Sequence, residues 1–131
     1  MHAFRAAVEA RDFDALPALF AADVVFRSPI AHKPYRGRDT VAIILRAVSR
    51  VFEDLTYVRE IGAPGAADHA LVFTARVGDL DINGCDFLHV GEDGLIDDFT
   101  VMLRPLRAVT AFAEKMAVEF GKEMEQAGLS G

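Results

Sequence analysis

The chain lacks tryptophan, has a single cysteine and contains no cluster of Lys and Arg residues. One cysteine cannot form an internal disulfide, so the fold must be stabilised by packing rather than by covalent cross-links. The net charge is −6 at pH 7, and an acidic chain without a basic patch is poorly suited to binding nucleic acid or an anionic membrane surface. We therefore expect neither of these partners.

Long apolar runs are also missing. No run approaches the ~20 residues that span a bilayer, and the first residues begin an amphipathic pattern rather than the apolar core of a signal peptide. We therefore expect a cytosolic protein. The 131 residues fit one domain, residues 1–131, which is long enough to bury a sizeable core. The aromatic residues are 10 Phe against 2 Tyr, a mix that favours a dry interior.

The apolar periodicity predicts elements in the order α-α-β-α-β-β-β-β-α. The predicted helices lie near 4–11, 14–20, 41–52 and 106–124, and the predicted strands near 24–28, 55–60, 69–77, 80–90 and 95–103. Tight turns join the later strands, which predicts an antiparallel sheet. Because helices come mostly first, they should pack on one face of that sheet in an α+β fold. We expect the tail, residues 127–131, to fray.

Several short motifs resemble one known superfamily when they are taken in order. They are Arg11–Leu16, Leu19–Phe26 with Ser28-Pro29, the Tyr35–Asp39 step into the central helix, and the late-hairpin segments Gly84–Leu88 and Asp93–Ile96. The pattern is similar to the nuclear transport factor 2-like superfamily, which includes SnoaL-like and ketosteroid isomerase-like domains. The resemblance implies a cystatin-like, cone-shaped curved sheet that closes with its helices around one pocket, and a homodimer.

The resemblance can be tested at three catalytic positions of the ketosteroid isomerases. Phe4 stands at the position of their oxyanion-binding Tyr, Ser28 at that of their general-base Asp, and Asp86 at that of their protonated Asp. A phenyl ring has no hydroxyl to donate, and a serine hydroxyl is too weak a base to remove a proton next to a carbonyl group. Steroid isomerisation by that route is therefore not expected, whereas polyketide cyclases of the superfamily use an acid at the position of Asp86.

Asp86 is the main catalytic candidate. Strand parity places its side chain on the same sheet face as Leu88, and the resemblance identifies this face as the pocket wall. The predicted ligand-contacting residues are Phe4, Phe26, Ser28, Tyr35, Tyr57, Leu88, Phe99, Val101 and Leu103. Burial among apolar neighbours should raise the pKa of Asp86, so that it exchanges a proton near neutral pH. The alternative is a structural carboxylate with a polar partner, or one exposed at a strand end.

His32 is the second catalytic candidate, because it lies with Tyr35 in the loop after the first strand, where we expect the pocket mouth. The alternative for His32 is a solvated loop residue. Ser28 could likewise donate a hydrogen bond to a ligand, or it could satisfy nearby backbone groups.

No spacing of His, Asp, Glu and Cys resembles a metal site, and no glycine-rich phosphate loop is present. We therefore expect no metal and no cofactor. Cys85, Phe87 and Met102 should point from the convex sheet face, where apolar side chains need cover. A two-fold related copy would supply it.

The sequence alone leaves two functions open. The first is a cofactor-free isomerase, cyclase or hydrolase that acts on a small apolar molecule with Asp86 as acid and base. The second is a non-catalytic domain that binds such a ligand in the same pocket.

Overall fold

The computed structural model describes residues 1–126, which form helices and a sheet in the predicted α+β class. The elements are α1 (Ala3–Glu9), a 3-10 helix (Leu16–Leu19), β1 (Phe20–Arg27), β2 (Tyr35–Arg36), α2 (Arg38–Val51), β3 (Glu53–Ile61), β4 (Asp68–Val77), β5 (Leu80–Val90), β6 (Ile96–Arg104) and α3 (Leu106–Gln126). The tail that we expected to fray lies outside the described residues.

The strands form one sheet in the order β2-β1-β6-β5-β4-β3. Neighbours from β3 to β6 are antiparallel, as the tight turns predict. β1 pairs in parallel with β6, so the sheet is mixed. Register shifts interrupt the β1–β6, β3–β4 and β5–β6 pairings, and such irregularities bend strands. They account for curvature toward the helices.

The segment before β1 differs most from the sequence prediction. The second predicted helix, 14–20, is reduced to the 3-10 turn at Leu16–Leu19, and β1 begins at Phe20 rather than at Val24. Phe20 is fully buried and its ring stacks on Phe99 with the centroids 6.1 Å apart. This long-range contact outweighs the helical preference of the local segment.

The two long helices pack together over the sheet. α2 buries Val41, Ile44 and Leu45, the face that its spacing of three and four residues predicts. The rings of Phe52 and Phe112 stack with their centroids 4.9 Å apart, which joins the end of α2 to α3. No helix within residues 1–126 is both long and apolar enough to cross a bilayer.

Candidate functional site

Asp86 lies on the inner face of β5 and is only 5% exposed. Tyr57 on β3 is 6% exposed, and its hydroxyl donates a hydrogen bond of 3.0 Å to Oδ2 of Asp86. The two strands are separated by β4, so this bond crosses the inner face above the intervening strand. A buried carboxyl group thus has one defined polar partner.

Gly84 makes room beside this pair. A Cβ atom at this position would lie 2.2 Å from Cζ of Phe73, which no side chain can tolerate. The ring of Phe73 therefore packs directly against Gly84 of β5, and its centroid lies 5.9 Å from that of the Tyr57 ring. The glycine lets aromatic rings fill the wall next to Asp86.

The environment changes the proton affinity of both groups. Burial raises the pKa of Asp86 to about 7, and the hydrogen bond from Tyr57 opposes part of that rise. Burial, followed by the neighbouring Asp86 carboxylate, raises the pKa of Tyr57 well above its usual range. At neutral pH the tyrosine is thus a permanent donor, while Asp86 is ready to gain or lose a proton.

A cavity of about 310 Å³ opens in front of Asp86, at the lower end of the range for small-molecule pockets. Its apolar lining residues are Phe4, Val8, Phe13, Leu16, Leu45, Val48, Phe52 and Leu55, and its polar ones are Glu9, Arg11, Ser49, Asp54, Tyr57 and Asp86. These residues come from α1, the segment after it, α2, the start of β3 and β5. Three larger and more open hollows lie elsewhere on the surface of the described residues, but none of them includes Asp86.

Of the residues predicted from the sequence, the structure brings Asp86, Tyr57 and Phe4 together on the cavity wall. Five of the other predicted wall residues face the core instead. Phe26, Leu88 and Phe99 are buried, and Val101 and Leu103 are partly buried against the core cluster. The ring of Phe99 packs 5.1 Å from that of Phe4, which fills the interior behind the cavity.

The loop after β1 does not form the mouth of this cavity. His32 is exposed, and neither it nor Tyr35 lines the cavity or hydrogen-bonds to Asp86 among residues 1–126. Tyr35 packs 6.3 Å from Phe120 of α3, so the closing helix covers this end of the cone. The Ser28 hydroxyl accepts a hydrogen bond of 3.1 Å from the backbone N–H of Ile30, the alternative that the sequence left open.

Sequence reasoning missed the residues at the cavity rim. Glu9, Arg11 and Asp54 are exposed there. Arg11 and Asp54 have φ angles of 54° and 53°, a left-handed conformation that is uncommon for residues other than glycine. Periodicity carries no signal for such positions. Within residues 1–126, no three His, Cys, Asp or Glu side chains are grouped to hold a metal ion.

Residues 1–99 match the family model of the SnoaL-like domain. The chain belongs to this family. The predicted relationship of this SnoaL-like domain to the nuclear transport factor 2-like superfamily is therefore confirmed.

Solved structures agree with this membership. A steroid delta-isomerase from Pseudomonas aeruginosa is 38% identical with a TM-score of 0.87, covering 93% of this chain and 89% of that chain. A protein with a cystatin-like fold from Silicibacter pomeroyi DSS-3 is 40% identical with a TM-score of 0.78, covering 82% and 74%. An NTF2-like protein from Mesorhizobium loti shares the fold at 16% identity, with a TM-score of 0.68 and coverage of 78% and 85%. No curated protein sequence matches this SnoaL-like domain.

Proposed function

We propose that this SnoaL-like domain binds a small, largely apolar molecule in the cavity of about 310 Å³ and that Asp86 exchanges a proton with it. The observation that carries the proposal is the buried Asp86 carboxyl group on the cavity wall, held by the hydroxyl of Tyr57 at 3.0 Å. A carboxyl group whose pKa is about 7 serves equally as acid and as base at neutral pH. We also propose the cytosolic location that the sequence leads us to expect.

A single group of this kind supports a proton shift within one substrate. Asp86 in its ionised form removes a proton next to an activating group, and in its protonated form returns that proton to another atom. The hydroxyl of Tyr57 stabilises the ionised state through its hydrogen bond. The similarity to a steroid delta-isomerase supports an isomerase-type reaction. Phe4 has no hydroxyl group to donate and Ser28 has no carboxylate to act as a base, so in this proposal Asp86 performs both transfers.

The second candidate is binding without chemistry. It is favoured by the hydrogen bonding of the wall, because the bond that Asp86 accepts within residues 1–126 comes from a tyrosine that stays protonated. In that case the protonated Asp86 donates a hydrogen bond that orients the ligand. The cavity and its apolar lining serve both functions equally.

Deuterium exchange into 2-tetralone, an apolar ketone with acidic protons next to its carbonyl group, separates the two candidates. The wild type should accelerate exchange in D2O, and Asp86→Asn should abolish the acceleration while the ketone still shifts the NMR signals of cavity residues. The matched control is Asp79→Asn, an exposed aspartate in the turn between β4 and β5. Binding with no exchange in the wild type favours the second candidate, and no binding by any apolar probe contradicts both.

The convex face supports a homodimer as part of this proposal. Phe87 is 42% exposed and Met102 is 58% exposed, and Met102 pairs across the strands with the partly buried Cys85. A second copy of the sheet would cover these side chains. Sedimentation at micromolar concentration should find a dimer that Phe87→Asp disrupts, whereas Val118→Asp, at an exposed position on α3, should leave it intact. A wild-type monomer contradicts the proposal.

A further inference from the structure

The charges at the cavity rim are not equally compensated. Glu9 pairs with Arg5, with Nε and Oε1 2.7 Å apart, and Asp54 accepts a hydrogen bond of 3.0 Å from Nε of Arg76. Both rim carboxylates thus already have a guanidinium partner. Arg11 differs, because no carboxylate within residues 1–126 forms a salt bridge with it. One cation at the mouth of an apolar cavity is left available.

The guanidinium of Arg11 is held in place by uncharged neighbours. Its Nη2 donates a long hydrogen bond of 3.4 Å to the backbone carbonyl of Ser49 on α2, and its central carbon lies 5.4 Å from the centroid of the Phe13 ring. Four of the five N–H donors of an arginine remain for other partners in this arrangement. Stacking on an aromatic ring and one backbone contact orient the planar, forked guanidinium group without neutralising its charge.

The backbone conformation at position 11 is energetically unfavourable for an arginine. Its N–H donates to the carbonyl of Val8 at 3.0 Å, and the N–H of Asp12 donates to that of Ala7 at 2.9 Å. These bonds end α1 with Arg11 in the left-handed conformation, the position at which helices usually place glycine. Arginine is thus less favourable for the backbone than glycine would be. Strain of this kind in a residue at a cavity rim indicates a role for its side chain.

We infer that the molecule bound in this cavity has an apolar body and an anionic end, a carboxylate or a similar oxyanion, which pairs with Arg11. The inference rests on the proposed function of the same cavity, since it places the apolar body against Phe4 and Phe52 within the lining. The planar fork of Arg11 matches the two oxygens of a carboxylate. Asp86 then faces the apolar body rather than the anion, which avoids repulsion between two carboxylates.

Two probes of almost equal size test the inference, 2-naphthylacetate and its uncharged analogue 2-naphthylacetamide. Their Kd values follow from NMR titration of the cavity residues. The wild type should bind the carboxylate about fivefold more tightly than the amide, as expected for a partly exposed ion pair. Arg11→Gln should remove this preference, chiefly by raising the Kd of the carboxylate. Added NaCl should reduce the preference in the wild type.

Two further variants separate binding from folding. Arg107→Gln removes an exposed arginine outside the cavity and should keep the wild-type preference. Arg11→Gly relieves the left-handed backbone, so its Tm should be unchanged or higher while the preference is lost, an outcome that a merely structural arginine would not give. A carboxylate preference that survives Arg11→Gln refutes the inference and leaves the proposed cavity standing. Failure of both probes to bind overturns the proposed function itself.

Discussion

Replacing Asp86 by Asn should change how stability depends on pH. The pKa of Asp86 rises from 3.8 to about 7 in the folded chain, first because burial disfavours the charged carboxylate. Each pKa unit corresponds to about 1.4 kcal/mol, so the difference amounts to about 4 kcal/mol. Asn has almost the same shape and can still accept the hydrogen bond of Tyr57, but it does not titrate.

The sign follows from proton binding. Between about pH 4 and about pH 7, the folded chain keeps the proton of Asp86 that the unfolded chain loses, so the free energy of unfolding falls as the pH rises. Above about pH 7, Asp86 is ionised in both the folded and the unfolded chain, so the free energy of unfolding falls no further on its account. Between about pH 4 and about pH 7, the free energy of unfolding of Asp86→Asn should therefore rise by about 4 kcal/mol relative to that of the wild type, because the variant has no carboxyl group at this position.

Urea unfolding at pH values from 4 to 8.5 measures this gain. For a chain of this size, about 4 kcal/mol corresponds to a relative shift of about 2 M in the urea midpoint. Asp79→Asn, in the exposed turn before β5, provides the comparison and should show no step of this size. A difference between wild type and Asp86→Asn that stays constant across the pH range would refute the reasoning about burial.

Three other substitutions test the surroundings of the site and the packing of the helices. Tyr57→Phe removes the hydrogen bond that lowers the pKa of Asp86, so carboxyl 13C NMR should find that pKa above its wild-type value. Phe99→Ala empties a position that is 1% exposed, and urea unfolding should show a loss of about 3–5 kcal/mol. Arg50→Gln leaves the buried Glu123 without the cation whose Nε lies 2.7 Å away, and since that arginine is half exposed the loss should be about 1–2 kcal/mol. Adding Glu123→Gln should recover most of this loss. An unchanged pKa in Tyr57→Phe, or an unchanged urea midpoint in Phe99→Ala or Arg50→Gln, would contradict the corresponding expectation.

Strand parity was sufficient to place Asp86 on the same sheet face as Leu88, because alternation along a strand depends only on local geometry, and the family resemblance identified that face as the inner one. The same holds for α2, whose buried face follows directly from residue spacing. The partner of Asp86 was harder to predict. Tyr57 lies 29 positions away in sequence and reaches Asp86 across β4, a contact that depends on the lateral order of strands rather than on any spacing.

The position of the cavity mouth could not be read from the sequence for a related reason. The loop after β1 carries the polar residues His32 and Tyr35 that suggest a mouth, but α3 packs against Tyr35 through Phe120 and covers that end. The opening lies instead between α1, α2 and β3. The docking of helices on a curved sheet depends on the sum of many side-chain contacts, and no single motif encodes it.

The energetic cost of the buried Asp86 carboxyl group supports the proposed role of this group in the cavity. Near neutral pH, Asp86 costs the fold about 4 kcal/mol relative to an uncharged residue, a large fraction of the stability of a small domain. Tyr57 offsets part of this cost but leaves the pKa at about 7. The arginine in a left-handed conformation at the rim of the same cavity is a second feature that lowers stability. Packing does not readily explain two such features on one cavity, because leucine or asparagine in place of Asp86, and glycine in place of Arg11, would be more favourable for the fold. The proposed ligand explains both, because its apolar body would face the acid and its anionic end would pair with the cation.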